Sequence, residues 1–109
     1  MLTDEYHYKI LKELQQDPDI SQRELAKRLE ISLGKANFCL KALIEKGLVK
    51  VENFKKNPTK IGYLYLLTPK GIEEKVSLTQ RFLQRKLKER EVLEKEIEQL
   101  RDETRTKNI

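Results

Sequence analysis

The sequence of 109 residues has few of the residue types that build active sites and cross-linked folds. It has one cysteine, Cys39, which excludes an internal disulfide, and one histidine, His7, so it offers too few soft ligands for a structural zinc site. It contains no glycine-rich phosphate loop, no nucleophile elbow and no carboxylate pair at a plausible spacing. We therefore expect no enzymatic activity, no cofactor and no metal, with His7 on the surface or on a helix flank and Cys39 inert rather than a redox sensor.

Long apolar runs are also missing. No stretch approaches the roughly 18 apolar residues of a membrane span. The first residues, Met1 to Glu5, are acidic where a secretion signal would be basic and then apolar. Tryptophan is absent, and there are only four glycines and three prolines, whereas hydrophobic and charged residues each make up 38% of the chain. This composition predicts a helix-rich, soluble, cytoplasmic protein without a membrane partner.

The charge that is present is distributed unevenly. Residues 1–20 carry two basic against five acidic residues, residues 21–75 carry twelve against six, and residues 76–109 carry nine against seven. The excess of the middle block lies between Arg23 and Lys60. DNA attracts such a localised basic surface, because each Lys or Arg that neutralises a phosphate releases a condensed counterion. On charge alone, a merely solvated surface remains an alternative.

Three helices are predicted before residue 47, over about 3–17, 22–29 and 33–46. Their N-caps are Thr3, Ser21 and Ser32, and their stop signals include Pro18 and Gly47. Ser21 also begins a capping box with Glu24, and two short helices joined by a tight turn are typical of a helix-turn-helix. In the third helix, helical periodicity places Cys39 on a flank and predicts a core face made of Leu33, Ala36, Leu40, Leu43 and Ile44.

A β-hairpin and one long helix are predicted after the third helix. Strands over 48–54 and 61–67 flank a polar turn at 55–60. Thr68 and Pro69 then begin a helix that continues to about Thr104, some 35 residues. The predicted fold class is therefore mainly α with a small β-hairpin: a winged helix-turn-helix domain over 1–71, followed by a long C-terminal dimerisation helix over 72–109.

The long helix carries apolar residues at alternating steps of four and three, as in a coiled coil. Lys86 and Arg90 interrupt this seam. A solvated helix held by pairs such as Glu91 with Lys95 is one interpretation. A partner helix is favoured, because an isolated helix would leave its last apolar residues in water. The predicted dimerisation residues are Val76, Phe82, Leu83, Leu87, Leu93, Ile97 and Leu100.

The third helix would enter the major groove of DNA, as the second helix of a helix-turn-helix does. Phe38 is misplaced on a polar helix face unless a thymine methyl, a deoxyribose, the hairpin or a dimer mate covers it. The lysine-rich hairpin tip suits phosphates or a narrow minor groove, and Arg23, Lys27 and Arg28 would face the adjacent backbone. The predicted DNA-binding residues are Ser21, Gln22, Arg23, Ser32, Gly34, Lys35, Asn37, Phe38, Lys41, Lys55, Lys56 and Lys60.

Five segments of the chain resemble a known family. They are residues 21–26, 32–35, 37–43, 46–50 and 67–71, and together they look like the MarR-type winged-helix regulators, more narrowly the EPS-associated branch encoded beside bacterial exopolysaccharide gene clusters. This resemblance implies a bacterial transcription factor that acts on cell-surface polysaccharide genes. MarR-type proteins usually have an extra N-terminal helix and two C-terminal helices that form the dimer and a pocket for phenolic ligands. We find neither pattern here, so we expect no obvious small-molecule ligand.

The sequence thus predicts a transcriptional regulator that binds double-stranded DNA as a homodimer. A protein-interaction adaptor that docks through the long helix is the main alternative, because winged helices also serve as docking modules. RNA binding is a third possibility, since Tyr63 and Tyr65 could stack on bases.

Overall fold

The computed structural model describes the backbone of residues 3–107 and their side chains, except those of residues 56, 60 and 107. The elements follow one another as α1 (Asp4–Gln16), α2 (Gln22–Leu29), α3 (Leu33–Glu45), β1 (Val49–Asn57), β2 (Lys60–Leu67) and α4 (Pro69–Lys107). The predicted fold class, mainly helical with one hairpin, is confirmed. Contacts divide the chain into a unit up to Leu78 and a second unit from Thr79 onward, whose described residues belong to α4.

The first three helices begin at the predicted caps. The Thr3 hydroxyl accepts a hydrogen bond from the Tyr6 amide over 3.4 Å. The Ser21 hydroxyl accepts one from Glu24, and the Ser32 hydroxyl one from Lys35, each over 3.1 Å. These bonds satisfy amides that have no partner inside their helices.

The turn between α2 and α3 is tight because of its backbone geometry. Glu30 ends α2 in the left-handed conformation with φ of 56°, and its amide donates to the carbonyls of Ala26 and Lys27. The Ile31 amide also donates to Ala26, over 3.0 Å. This arrangement satisfies the last carbonyls of α2 and turns the chain directly into Ser32.

The core of the first unit combines α1, α2, α3 and the start of the hairpin. On α3, Ala36, Leu40 and Leu43 are buried as expected. Two other expectations for this helix were wrong: Leu33 is 40% exposed, whereas Cys39 is 2% exposed instead of lying on a flank. The helical period does not show which flank a neighbouring helix covers, and here α1 packs against α3. The side chains with almost no exposure are Ile10, Leu11, Leu14, Leu25, Leu40, Leu43, Val49 and Leu78.

The hairpin is longer than expected. Its antiparallel strands pair from Val49 with Leu67 to Asn57 with Lys60, and the register is irregular between Lys55 and Asn57. The polar turn predicted over 55–60 is therefore wrong, since only residues 58 and 59 lie outside the strands. The Asn57 carboxamide oxygen closes this turn by accepting from the amide and hydroxyl of Thr59, over 3.0 and 2.9 Å.

The start of α4 is fixed to the turn after α3. Gly47 has a positive φ of 75° at that turn, in agreement with its predicted role as a helix stop. The Thr68 hydroxyl donates to the Gly47 carbonyl over 2.6 Å and accepts from the Gly71 amide over 3.0 Å. Gly71 packs so closely that a Cβ there would collide with the Leu48 carbonyl. Within residues 3–107, no helix has both the length and the apolar content needed to cross a membrane.

Candidate nucleic-acid interface

The outward face of α3 presents an aromatic ring beside a lysine. Phe38 is 59% exposed, so the hairpin does not cover it. Gly34 and Lys41 are exposed one turn on either side, and no atom lies within 4 Å of the position that a Cβ on Gly34 would take. This face therefore offers an apolar ring, an ammonium group and an open approach to the helix backbone.

Lys35 and Lys41 lie on different sides of this face. The Lys35 ammonium lies 4.1 Å from the centroid of the Tyr6 ring on α1, which holds it at the α1 side by a cation–π interaction. Lys41 lines a groove on the opposite side, toward the hairpin. The two cations thus flank Phe38.

The groove between α3 and the hairpin has a volume of about 350 Å³. Asn37 and Lys41 border it on the helix side, and Val51 and Tyr63 border it on the hairpin side. Asn37, one of the predicted DNA-binding residues, lines this groove. The complete lining is Gln22, Asn37, Leu40, Lys41, Ile44, Val51, Tyr63 and Tyr65.

The N-terminus of α2 lies beside the same groove. The Gln22 carboxamide donates to the Tyr65 hydroxyl over 3.3 Å, and the Tyr65 amide donates to the Pro18 carbonyl over 2.9 Å. These two bonds join the hairpin to α2 and to the turn before it. The predicted residues Ser21 and Arg23, next to Gln22, are exposed.

Arg28 is exposed, but carboxylates of α1, α2 and the turn between them engage its side chain. Its guanidinium pairs with Glu13 at 3.1 Å, Asp17 at 3.3 Å and Glu24 at 3.5 Å. The hydrogen bond to Glu13 is the largest cause that raises the pKa of Arg28 above its ordinary value. Glu13 and Asp17 lie 15 and 11 residues away in sequence, so these partners could not be predicted from helical spacing.

The hairpin tip carries the remaining predicted cations. Lys55 is exposed and belongs to β1, not to the turn. Lys60 begins β2, and the side chains of Lys56 and Lys60 lie outside the described set. Lys55 pairs with Ile61 across the hairpin, on the same face as Tyr63.

His7 and Cys39 are both buried. His7 was expected on the surface or on a helix flank, but it is 7% exposed, and its Nε2 has no hydrogen-bond partner among the described residues. Burial, followed by the charge of Lys46, lowers the pKa of His7. Burial likewise raises the pKa of the Cys39 thiol, although the charge of Lys35 acts in the opposite direction. Neither side chain has the properties of an activated catalytic group.

The apolar residues of α4 lie largely in solvent. Val76 is 52% exposed, Leu83 54%, Leu93 54% and Leu100 61%. Leu87 and Ile97 are also exposed, and the half-buried Phe82 has the Arg85 guanidinium 5.1 Å from its ring centroid. Val92 is also exposed, at 48%, but it lies outside the seam pattern.

Glutamates of the same helix pair with the two cations that interrupt the seam. Lys86 pairs with Glu89 at 3.1 Å, and Arg90 pairs with Glu94 at 3.6 Å. The Glu91–Lys95 pair expected for a solvated helix is also present, at 3.6 Å. Such exposed pairs each contribute only about 0.2 to 1 kcal/mol. These ion pairs therefore do not compensate for the exposure of the apolar residues to solvent.

A family model covers the first half of this arrangement. Residues 3–50 match the model described as winged helix-turn-helix DNA-binding. The elements α1 to α3 and the start of β1 lie within this match, and the hairpin and α4 complete the fold. The chain therefore has the winged helix-turn-helix fold. In the terms used for this fold, α3 is the recognition helix and the hairpin is the wing.

Solved structures with the same winged-helix fold are regulators. The adhesin competence repressor of Streptococcus pyogenes has a TM-score of 0.64 at 20% identity, over 82% of this chain and 64% of that chain. A MarR variant from E. coli in complex with operator DNA has a TM-score of 0.56 at 29% identity, over 68% and 51%. Staphylococcus aureus MarR in complex with salicylate and kanamycin has a TM-score of 0.57 at 28% identity, over 81% and 56%.

These matches cover only part of each solved relative. The chain spans between half and two thirds of the length of these three solved relatives. No curated protein sequence matches it significantly. The fold is one that solved transcriptional regulators share.

The recognition helix and wing also contain residues that the sequence-based set omitted. Val51 and Tyr63 border the groove beside the recognition helix, and both lie on the wing face that also carries Tyr65. The alternation of side chains along the second strand could have assigned Tyr63 and Tyr65 to one face. It could not have shown that this face continues past the helices.

Proposed function

We propose that this chain is a sequence-specific transcriptional regulator that binds double-stranded DNA as a homodimer, with the recognition helix in the major groove and the wing on the backbone or minor groove. The observation that carries the proposal is the exposed Phe38 ring between Lys35 and Lys41 on the outward face of the recognition helix. An exposed ring can contact a thymine methyl group, while the flanking ammonium groups contact phosphates or guanine.

Contacts on both sides of the recognition helix would fix its register on DNA. The exposed Ser21 and Arg23 lie at the start of α2, where a helix N-terminus attracts phosphates. The Ser21 and Ser32 hydroxyls accept hydrogen bonds from the backbone and keep their own protons for an anion. On the other side, Lys55 extends the basic surface along the wing, and we include Lys56 and Lys60 from the sequence.

The part of α4 from Leu83 onward supports the homodimer. Five seam residues there are 38% to 61% exposed in a single chain, a pattern that a second copy of the same helix would cover. A symmetric dimer places two recognition helices on two half-sites about one helical turn of DNA apart. The E. coli relative in complex with operator DNA is consistent with this mode of action.

The finer assignment rests on the resemblance of the sequence. The five matching segments lead us to propose control of exopolysaccharide-related genes in a bacterial cytoplasm, without an obvious small-molecule ligand. The protein-interaction adaptor remains the alternative, because the exposed seam of α4 could bind a different protein.

Salt dependence distinguishes these two functions. The affinity for a random-sequence duplex should fall steeply between about 50 and 200 mM salt if several cations contact phosphates. A salt-insensitive affinity would contradict DNA binding and favour the adaptor. A long duplex with heparin as competitor serves as a second measurement of the same electrostatic contact.

Two double variants test the division of roles within the interface. Phe38→Ala with Lys35→Ala should abolish sequence preference and leave the fold intact. Lys55→Ala with Lys56→Ala should weaken binding to all sequences alike, because these lysines contact phosphates. Equal loss of specific and nonspecific binding in both variants would contradict this division.

A further inference from the structure

One face of the wing continues past the helices that cover its base. Val49, paired with Leu67, is 2% exposed, and Tyr65, paired with Val51, is 8% exposed. Directly paired residues share a face, so the next pair outward on this face is Asn53 with Tyr63. Tyr63 is 53% exposed. Val51, opposite Tyr65, is already 40% exposed, so the inner face of the wing changes from core to open surface between Tyr65 and Tyr63.

This open surface is one wall of the groove beside the recognition helix. Val51 and Tyr63 face Asn37 and Lys41 across a volume of about 350 Å³. The wall is held in place by the hydrogen bond from Gln22 to the Tyr65 hydroxyl and by that from the Tyr65 amide to Pro18. A ligand in the groove would therefore meet a preformed site with little ordering of the backbone.

The lining of the groove favours an anion with an apolar neighbour. None of its eight residues is acidic, and one, Lys41, is a cation. The groove on the other side of Tyr63 contains Asp19 and no cation. The first groove also has apolar walls in Val51, Leu40 and Ile44. Phosphate next to deoxyribose combines the anionic and apolar character that this lining fits.

We propose that the groove between recognition helix and wing holds the sugar–phosphate backbone of one DNA strand, and that the Tyr63 hydroxyl donates a hydrogen bond to a phosphate there. The proposal rests on the proposed function and adds a contact that the basic residues do not provide. Lys41 approaches the same strand from the helix side, and Val51 packs against the deoxyribose. Tyr63 thereby sets the position of the strand between the two walls.

The test uses a fluorescent 24-base-pair duplex of mixed sequence and the full chain. Tyr63→Phe removes the hydroxyl and keeps the ring. We expect its affinity to fall about tenfold, as for the loss of a hydrogen bond to a charged group. The salt dependence should stay unchanged, because no cation is lost. Lys41→Gln should instead weaken binding and reduce the slope of log affinity against log salt by about one for each protomer bound.

Tyr8→Phe is the matched control. Tyr8 borders a surface formed by α1 and the end of α2, together with Lys12 and Glu30. This variant loses the same hydroxyl outside the groove, so its affinity should equal that of the wild type. Thermal denaturation should be unchanged in Tyr63→Phe, because the side chain is half exposed.

Two results would overturn the proposal, and they are distinguishable. If the wild type binds the duplex and Tyr63→Phe binds it within twofold of the wild type, the groove does not hold the backbone, although the proposed function stands. If the wild type does not bind the duplex even at low salt, the proposed function fails and this inference fails with it.

Discussion

The Arg28 guanidinium donates a hydrogen bond to the Glu13 carboxylate over 3.1 Å and joins the end of α2 to α1. A second bond, to Asp17 over 3.3 Å, extends this contact to the turn after α1. The positive charge of Arg28 is thus paired with carboxylates of the same chain. The basic surface that we propose for DNA is therefore smaller than the count of lysines and arginines in the sequence indicates.

Replacement of Arg28 should affect stability more than DNA binding. Arg28→Gln removes the link between α1 and α2, so we expect a lower melting temperature and little change in affinity for a mixed-sequence duplex. Lys27→Gln, the neighbouring control, should leave the melting temperature unchanged. Arg23→Gln should weaken binding. A loss of affinity in Arg28→Gln that exceeds the loss in Arg23→Gln would show that Arg28 contacts DNA after all.

Two glycine substitutions should have opposite effects on stability. Gly71→Ala places a methyl group on the Leu48 carbonyl, and we expect a loss of about 3 kcal/mol in the free energy of unfolding. Gly34→Ala meets open space and should stabilise α3 by up to about 1 kcal/mol. If DNA approaches the helix backbone at Gly34, Gly34→Ala should still weaken DNA binding. Chemical denaturation and duplex titration measure the two effects, and unchanged affinity would place the DNA backbone elsewhere.

The stability of the fold should depend on pH through His7. Its pKa in the folded state lies below the ordinary 6.5, first because of burial and then because of Lys46, while Asp4 and Glu74 act in the opposite direction. A lowered pKa means that the folded state binds the proton less well than the unfolded state. The contribution to stability is therefore complete above about pH 6.5 and is lost as the pH falls through the folded value.

The variant that isolates this effect is His7→Leu. The wild type should lose a few degrees of melting temperature between about pH 7.5 and 5.5, and the variant should lose less, since His7 is the only histidine in the sequence. Identical pH profiles for the two proteins would show that His7 is not responsible.

The apolar seam of α4 should determine the oligomeric state. We expect a mass of twice 12.9 kDa for the wild type in light scattering at micromolar concentration. Leu93→Lys with Ile97→Lys should give a monomer and a large loss of DNA affinity, because each protomer then binds its half-site without a second protomer on the other half-site. The charge swap Glu91→Lys with Lys95→Glu, which keeps the pair in reverse, should remain a dimer. A wild type that is monomeric under these conditions would contradict the homodimer.

Features with a local cause could be predicted from the sequence. The caps Thr3, Ser21 and Ser32 depend on bonds to an amide three residues away, and the stop at Gly47 depends on one backbone angle. The exposure of Phe38 also followed from the helical period alone. These features are enough to recognise the helix-turn-helix.

Features with a distant cause could not be predicted. The burial of His7 and Cys39 depends on which side of each helix a neighbour covers. The extension of the hairpin through Asn57 depends on pairing with Lys60 and on the turn between them. The role that we propose for Tyr63 depends on a groove formed by three separate elements. Periodicity within one element contains no information about such packing.

Selection of bound sequences from a random duplex pool tests sequence-specific DNA binding and the homodimer in one experiment. We expect enrichment of an inverted repeat whose half-sites lie about one helical turn apart, and loss of that enrichment when Phe38→Ala is combined with Lys35→Ala. A pool in which no sequence is enriched over the input would contradict sequence-specific DNA binding. Enriched sites without two-fold symmetry would contradict the homodimer.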